Sequence, residues 1–349
     1  MIIKLSVKKN GNILPEAYNL LNSLPDEALN HLNHYEFHPA DIYNTSLERI
    51  ILAFLSLKNN LNELKDLKEE PTKLNVYNVL ESQKELLHAT HAHIDDCYRI
   101  LKVTSPVQDM KKLDRKDRKY AKRFVLSWLR LFEHPSYSFF EEKTQNFCTS
   151  GKIVNKIKHH HARLRLLSIE GAEKSFGYYV EGKHIKDNTL KICPDPQIHP
   201  EGTAFSFSRD MAWNLYTIYI ISHYLSISLA KSIKTYYGIE VIPKINKGGY
   251  LGELKEITYY IQNNNSNYFP NEYEINFPLI SINESSHNTI ITMNLEKKYY
   301  YRDNTNDRTI YFYQDSYEHV FHIIRPYVEY MQKRYTIKDF KEIPTKELY

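Results

Sequence analysis

A basic, histidine-rich segment at residues 151–165 carries the side chains best suited to chemistry in this sequence. On a helix, Asn155, Lys158 and His159 are predicted to share a polar face, with Arg163 one turn further on. Histidine titrates near neutral pH and can act as a general acid or base on a phosphodiester, while cations and an amide hold the phosphate. This combination is typical of metal-independent RNA cleavage, in which a 2′-hydroxyl attacks its own phosphate. His159 is the predicted acid or base, and Asn155 and Lys158 are the predicted phosphate ligands.

The same segment has an interpretation that needs no chemistry. His159, His160 and His161 are consecutive, so on a helix they point in three directions and do not all serve one site. A basic helix face that bears histidine is often simply exposed to solvent. Both interpretations stay open, and the predicted site depends on His159.

A second group of imidazole and carboxylate side chains lies near residue 90. His88, His91 and Asp95 have i, i+3, i+7 spacing, which places them on one helix face, and Glu85 precedes them by one turn. Such nitrogen and oxygen ligands could bind zinc or iron. A polar or exposed helix face is the favoured alternative, and we predict neither a metal nor another cofactor. A third interpretation gives these side chains a supporting role, in which they orient His159.

Residues 111–123 form a dense basic connector, with eight cations against two acids. Such a patch suits a polyanion, and Tyr120 or Trp128 could stack on bases. The interleaved Asp114 and Asp117 equally favour ordinary ion pairs along an exposed helix. The predicted nucleic-acid contacts come from this connector and from the histidine segment: Lys111, Lys112, Arg115, Lys116, Arg118, Lys119, Lys156 and Arg163.

Composition narrows the class of protein. Hydrophobic residues make up 42% and charged residues 25% of the 349 residues, which excludes global disorder. The ten glycines include neither a GxGxxG nor a GxxxxGK[ST] sequence, so a glycine-rich nucleotide-binding loop has no support. Three cysteines without a CxxC pair suggest neither a disulfide framework nor a thiolate zinc site. A formal charge of +4 is too small to identify a polyanion partner by itself.

The sequence does not favour a membrane location. The most apolar stretch, residues 211–233, contains Asn214, His223 and five serines or threonines, which indicates a buried helix. The first residues have no apolar run typical of a signal peptide. We therefore predict a cytoplasmic protein.

Hydrophobic periodicity predicts the elements that must position these residues. Helices are expected from Ser46 to a stop at residues 69–71, and at 76–103, 119–132, 150–167, 208–236 and 316–334. Strands are expected at 175–182, 190–193 and 289–295, and residues 299–301 and 310–313 are expected to form a hairpin. The predicted fold is mainly α, a helical bundle with a small β insertion followed by an α+β C-terminal region. The predicted divisions are a mixed segment 1–45, the bundle 46–236 and the C-terminal region 237–349.

The sequence from Asn155 to His159, on a helix followed by a strand pair and a long apolar helix, resembles the HEPN superfamily. That family's motif is an arginine, then a polar residue that is often asparagine, then a histidine five positions after the arginine. Asn155 and His159 match the polar and histidine positions, whereas Val154 stands where the family has arginine. Arg163 or Lys158 could supply the missing charge.

The resemblance implies a helical-bundle protein that binds or cleaves RNA in a bacterial toxin or anti-phage defence system. It also implies a homodimer or larger assembly, in which two histidine helices face each other. The alternative is a non-catalytic interaction or regulatory module of such a system, with a protein partner bound through residues 237–349.

Overall fold

The computed structural model describes residues 2–8, 13–69, 71–147, 149–170, 174–186, 189–244, 249–264, 267–269, 272, 277–284, 288–296, 308–314, 322–323 and 337–344. The helices among them are α1 (Glu16–Leu21), α2 (Pro39–Asp66), α3 (Lys73–Val103), α4 (Arg115–Arg123), α5 (Val125–Leu131), α6 (Tyr137–Thr144), α7 (Thr149–His160), α8 (Phe207–Tyr237) and α9 (Leu251–Asn263). Three of them, α2, α3 and α8, are long enough to span the body of the bundle.

Local side chains fix the ends of these long helices. Helix α3 begins with a capping box, in which Thr72 accepts a hydrogen bond from the Asn75 backbone N–H and the Asn75 side chain accepts one from the Thr72 N–H. Helix α8 begins at Ser206, whose hydroxyl accepts a hydrogen bond from the Arg209 backbone N–H. It ends at Gly238, whose φ of 70° is the left-handed conformation that glycine adopts without steric cost.

The core of the bundle lies where α2, α3 and α8 pack together. The apolar residues that recur with helical periodicity along α2 are buried at every position: Leu47, Ile50, Ile51, Phe54, Leu57, Leu61 and Leu64. Helix α8 is buried around most of its circumference, which confirms that residues 211–233 form a core helix. The part of the chain that the structure describes contains no helix long and apolar enough to cross a membrane.

The described strands form two sheets. They are β1 (Ile2–Lys8), β2 (Leu164–Glu170), β3 (Lys174–Lys186), β4 (Thr189–Pro194), β5 (Phe205–Ser206), β6 (Phe277–Glu284), β7 (Asn288–Glu296), β8 (Arg308–Gln314), β9 (His322–Ile323) and β10 (Ile337–Pro344). One sheet has the antiparallel order β1-β7-β6. The other has the order β10-β8-β2-β3-β4-β9, with β5 paired to β3.

The predicted fold class is confirmed: the chain is mainly α, with a β insertion before the last long helix and an α+β C-terminal region. The antiparallel strand pair expected at 175–182 and 190–193 is present as β3 and β4, with Gly182 opposite Cys193. The domain divisions 1–45, 46–236 and 237–349 stay a prediction. Strand pairing crosses both divisions, because β1 pairs with β7 and β2 pairs with β8.

The predicted start of α2 and the predicted single helix at 119–132 are both wrong. Helix α2 begins at Pro39, since proline suits the first helical position and the His38 ring accepts a hydrogen bond from the Ala40 N–H. Ser46, the predicted start, is therefore a buried residue inside α2, and its hydroxyl is hydrogen-bonded to the ring of His93. The single helix expected at 119–132 is two helices, because the backbone of Phe124 is extended between α4 and α5.

The helix expected at 150–167 ends at His160. His161 has a φ of 53°, which breaks the right-handed helix, and the chain then enters β2 at Leu164. Strand β2 pairs with β3 on one side and with β8 on the other. Arg163 therefore lies in the connection after the helix, and a shared helix face of His159 with Arg163 is excluded.

The C-terminal predictions are tested only in part. Residues 310–313 are a strand as expected, but β8 pairs with β2 and β10, and residues 299–301 lie outside the described residues. Within the helix expected at 316–334, His322 and Ile323 instead form a short strand parallel to β4. The rest of that range also lies outside the described residues.

Candidate nucleic-acid interface

Helix α7, which carries the predicted catalytic residues, is fixed against the bundle by its apolar side. Ile153 and Val154 are each 1% exposed and belong to the main core. Gly151 lies directly against α3: a Cβ atom built on it would stand 2.8 Å from two ring atoms of His91. The absence of a side chain at Gly151 thus allows α7 to approach α3 closely.

The opposite side of α7 presents Asn155 and His159 to solvent. Both residues are exposed, as is Lys152, and their i, i+3, i+7 spacing places the three on one stripe of the helix. His160 is exposed on a neighbouring stripe. Asn155 and His159 are therefore placed together, one turn apart, on an accessible face.

Lys158 is also exposed, and it lies close enough to His88 of α3 to influence that imidazole electrostatically. Burial lowers the pKa of His88, and the positive charges of Lys158 and Lys84 lower it further. Of the predicted supporting residues, His88 and His91 are thus brought to α7. Asp95 is exposed and lines a different cavity of about 540 Å³ between α2 and α3, together with Arg49 and Arg99.

A groove of about 500 Å³ runs between the N-terminal half of α3 and the connection from α7 to β2, and we call it the α7 groove. Its lining combines exposed apolar side chains with cations: Lys73, Leu74, Val76, Tyr77, Leu80, Glu81, Lys84, Ile157, Ala162, Arg163, Leu164 and Arg165. Tyr77 is 61% exposed there, and Arg163 is exposed as well. Asn155, Lys158 and His159 lie outside this lining.

Two of the groove cations are neutralised by neighbours. Lys84 forms an ion pair with Glu81 one turn earlier on α3. Arg165 forms a largely buried pair with Glu181, across the β2–β3 ladder. Arg163 is consequently the groove cation best placed to meet a solvent-borne anion, while its backbone carbonyl accepts a hydrogen bond from the Glu181 N–H.

Lys156, a predicted nucleic-acid contact, forms an ion pair with Asp195. Its Nζ lies 2.9 Å from Oδ2 of Asp195, whose side chain is 8% exposed. Asp195 also accepts a hydrogen bond from the Gln197 backbone N–H. Lys156 therefore ties α7 to the segment after β4, and its charge is balanced within the fold.

The basic connector forms a separate surface around α4. Lys111, Lys112, Arg115, Lys116 and Lys119 are exposed. Arg118 instead donates hydrogen bonds from Nε and Nη2 to the carbonyl oxygens of Met110 and Leu113, so it braces the turn that precedes α4.

The aromatic residues near the connector differ in their access to solvent. Tyr120 is 46% exposed and stacks on Phe124 at a centroid distance of 6.3 Å. The expectation that Trp128 could stack on bases is wrong, because this ring is 2% exposed and packs edge-on against His34.

The groove residues on α3 were missed by the sequence analysis. Lys73, Tyr77 and Lys84 have i, i+4, i+11 spacing, which places them on one stripe of a helix. That spacing could have been recognised in the sequence. The proximity of these residues to Arg163 could not, because β2 contacts α3 only in the tertiary fold.

No family model, curated protein or solved structure matches this chain. Among the residues described by the structure, no three histidine, cysteine, aspartate or glutamate side chains converge in an arrangement that could hold a metal ion. The HEPN resemblance therefore remains a hypothesis based on the Asn155–His159 sequence and the order of elements around it.

Proposed function

We propose that this chain binds single-stranded RNA in the α7 groove and acts on it as a HEPN-like, metal-independent ribonuclease of a bacterial toxin or anti-phage defence system. The observation that carries the proposal is an exposed aromatic ring, Tyr77, in a groove with Arg163 and Lys73. Proteins that hold single strands combine such stacking rings with cations along the backbone. The exposed connector residues of α4 would add long-range attraction for a polyanion.

In this proposal, catalysis belongs to the exposed stripe of α7. His159 is the acid or base, Asn155 holds a phosphate oxygen, and a second copy of the chain completes the site by bringing its own α7 opposite. Val154 is buried, so the charge of the family's arginine must come from elsewhere, and Lys158 and Arg163, which are both exposed, are the candidates. A homodimer is part of the proposal, since His159 lies on an open face of one chain.

Binding is tested by fluorescence anisotropy with a labelled single-stranded RNA. Tyr77→Ala is expected to weaken binding by roughly 5- to 150-fold, since stacking on one base contributes ~1–3 kcal/mol. Arg163→Ala is expected to lower the dependence of log K on log salt by about 0.7, the value for one phosphate contact to a single strand. Tyr35→Ala is the matched control, because Tyr35 is 96% exposed and lies outside the groove. Equal losses for Tyr35 and Tyr77 would refute the groove assignment.

Cleavage is tested by incubating total RNA or a defined RNA with the wild type and with His159→Ala. His160→Ala is the matched control, since His160 is the adjacent exposed imidazole on α7. Degradation that His159→Ala abolishes and His160→Ala preserves is the expected result. An intact RNA in all three reactions, at protein concentrations where anisotropy shows binding, would remove the enzymatic claim and leave the binding claim standing.

A non-catalytic interaction module is the second candidate, and the surface before α2 favours it. Leu32, Tyr35 and Phe37 are 75%, 96% and 77% exposed, an unusual concentration of large apolar side chains within six residues of chain. Under this alternative, Phe37→Ser abolishes the biological activity of the protein, and His159→Ala leaves that activity unchanged. The opposite pattern would exclude it. A partner bound through residues 237–349 stays a prediction.

A further inference from the structure

A third cavity, of about 270 Å³, lies between α3, α7 and α8, away from the α7 groove. Its apolar wall is made by Phe147, Phe205 and Trp213, of which Phe147 and Trp213 stack with a centroid distance of 5.8 Å. Its polar wall carries hydroxyl, amide and charged groups: Thr90, Ser150, Arg209, Asp210, Asn214 and Thr217. The volume is slightly below the range of about 300–1,000 Å³ that is typical of small-molecule sites, so the occupant must be small.

Several polar atoms of this wall lack a hydrogen-bond partner. Within the described residues, Oγ1 of Thr90, Oγ of Ser150 and Nε of Arg209 are buried and unpaired. The three side chains are 1%, 6% and 9% exposed. Leaving a buried donor unsatisfied costs about 1–3 kcal/mol, and more for a charged group. Three such atoms around one cavity therefore indicate a bound polar molecule.

The charges of the wall define the chemistry of that molecule. Arg209 is a cation whose guanidinium lies 5.6 Å from the Trp213 ring centre. The next residue, Asp210, is a buried acid whose carboxylate accepts hydrogen bonds from Gln83, Asn214 and Tyr178. A carboxylate has about four acceptor sites, so room remains for one further donor. Arg209 also lies close to the buried Glu272, which is outside the cavity lining. Within the lining itself, one cation beside one acid matches a ligand that carries both charges and disfavours a simple anion.

We infer that this cavity binds a free α-amino acid with an apolar side chain. The ligand carboxylate accepts from Arg209 and from the hydroxyls of Thr90 and Ser150, the ammonium group donates to Asp210, and the side chain packs against the aromatic wall. Because these groups come from α3, α7 and α8, the ligand links the three helices. This inference goes beyond the proposed function and does not depend on it.

The test is isothermal titration of the full-length protein with L-leucine and with L-phenylalanine. Each is compared with its amide, which lacks the carboxylate, and with its N-acetyl derivative, which lacks the ammonium group. At least one free amino acid is expected to bind at one site per chain, and both of its derivatives are expected to bind at least 10-fold more weakly. Trp213 lines the cavity, so its fluorescence in a Trp128→Phe background should change on binding.

Variants of the polar wall identify the site. Arg209→Gln is expected to weaken binding by about 10- to 100-fold, the range for a hydrogen bond to a charged group. Thr90→Val keeps the side-chain shape and is expected to weaken it several-fold. Thr258→Val is the matched control, since Thr258 is an equally buried helical threonine outside the cavity.

Three outcomes would overturn the inference. If neither amino acid binds, ordered water satisfies the polar wall. If the N-acetyl derivative or inorganic phosphate binds as well as the free amino acid, the cavity is an anion site. If Thr90→Val and Arg209→Gln both bind like the wild type while Thr258→Val behaves normally, the ligand occupies another place. The RNA-binding experiment on Tyr77 and Arg163 is unaffected by any of these results.

Discussion

Acidification from pH 7 to pH 5 should destabilise this protein strongly, because three histidines are buried in the neutral form. His93, His134 and His199 are at most 4% exposed. Burial lowers the pKa of His93 and His134 to about 4 and that of His199 to about 3. One nitrogen of each ring is hydrogen-bonded. The His93 ring is bonded to the Ser46 hydroxyl, the His134 ring accepts from the Ser136 backbone N–H, and the His199 ring accepts from the Val180 backbone N–H. The other nitrogen of the His93 ring and of the His199 ring has no hydrogen-bond partner among the described residues, whereas a backbone hydrogen bond with Leu101 partly offsets the effect of burial on the pKa of His134.

The sign follows from the lowered pKa values. In the unfolded chain these histidines titrate near 6.5, so below that pH the unfolded state binds more protons and stability falls as pH falls toward the folded pKa. Between pH 7 and pH 5 each ring lowers the free energy of unfolding by ~2 kcal/mol, and the three rings together lower it by about 6 kcal/mol.

Glu272 opposes this trend, because burial raises its pKa to about 7 and the group therefore contributes stability that increases as pH falls. Its contribution to the free energy of unfolding increases by ~2 kcal/mol over the same interval. The four groups together therefore lower the free energy of unfolding by about 4 kcal/mol, whereas a typical protein has a total of about 5–15 kcal/mol. Burial also raises the pKa of Asp96 and Asp210, which act in the direction of Glu272.

The assay is urea unfolding at pH 7, 6 and 5, followed by tryptophan fluorescence and circular dichroism. His93→Gln is expected to be less stable than the wild type at pH 7, yet to lose about 2 kcal/mol less on going to pH 5. His160→Gln, at an exposed position on α7, should keep the wild-type pH dependence. The reasoning is refuted if His93→Gln and His160→Gln show the same pH dependence.

Substitutions at α7 give further predictions. Gly151→Ala should lower the free energy of unfolding by about 1–3 kcal/mol, because its Cβ would lie 2.8 Å from the His91 ring. Gly252→Ala is the control for the same urea experiment. It should not destabilise the protein, because the space around Gly252 is open. Val154→Arg should lower the melting temperature sharply rather than create activity, since it places an unpaired charge in the core. Asp195→Asn should lower the free energy of unfolding by ~1–3 kcal/mol, because it removes the charged partner of Lys156. Adding Lys156→Met to this variant should restore part of that free energy.

Local patterns explain which parts of the fold were predictable. The periodic apolar residues of α2, the α8 core helix with Gly238 as its cap and the β3–β4 pair all depend on periodicity or turn chemistry within a short window of sequence. The end of α7 was not predictable in this way. Leu164 continues an apolar helical period beyond His160, but β2 gains more hydrogen bonds from pairing with β3 and β8, which are distant in sequence.

The candidate site likewise combines features that follow from local sequence with features that only the tertiary structure fixes. The sequence alone determined that Asn155, Lys158 and His159 would lie within one turn or so of each other on a helix, because helix geometry fixes that proximity. Tertiary structure decided the surroundings of each neighbouring charge: Lys156 pairs with Asp195, Lys158 lies near His88, and Arg163 lines the groove of Tyr77. These partners lie far apart along the chain. Only packing determines which charges are neutralised and which face solvent, since burial and pairing are properties of contacts between elements.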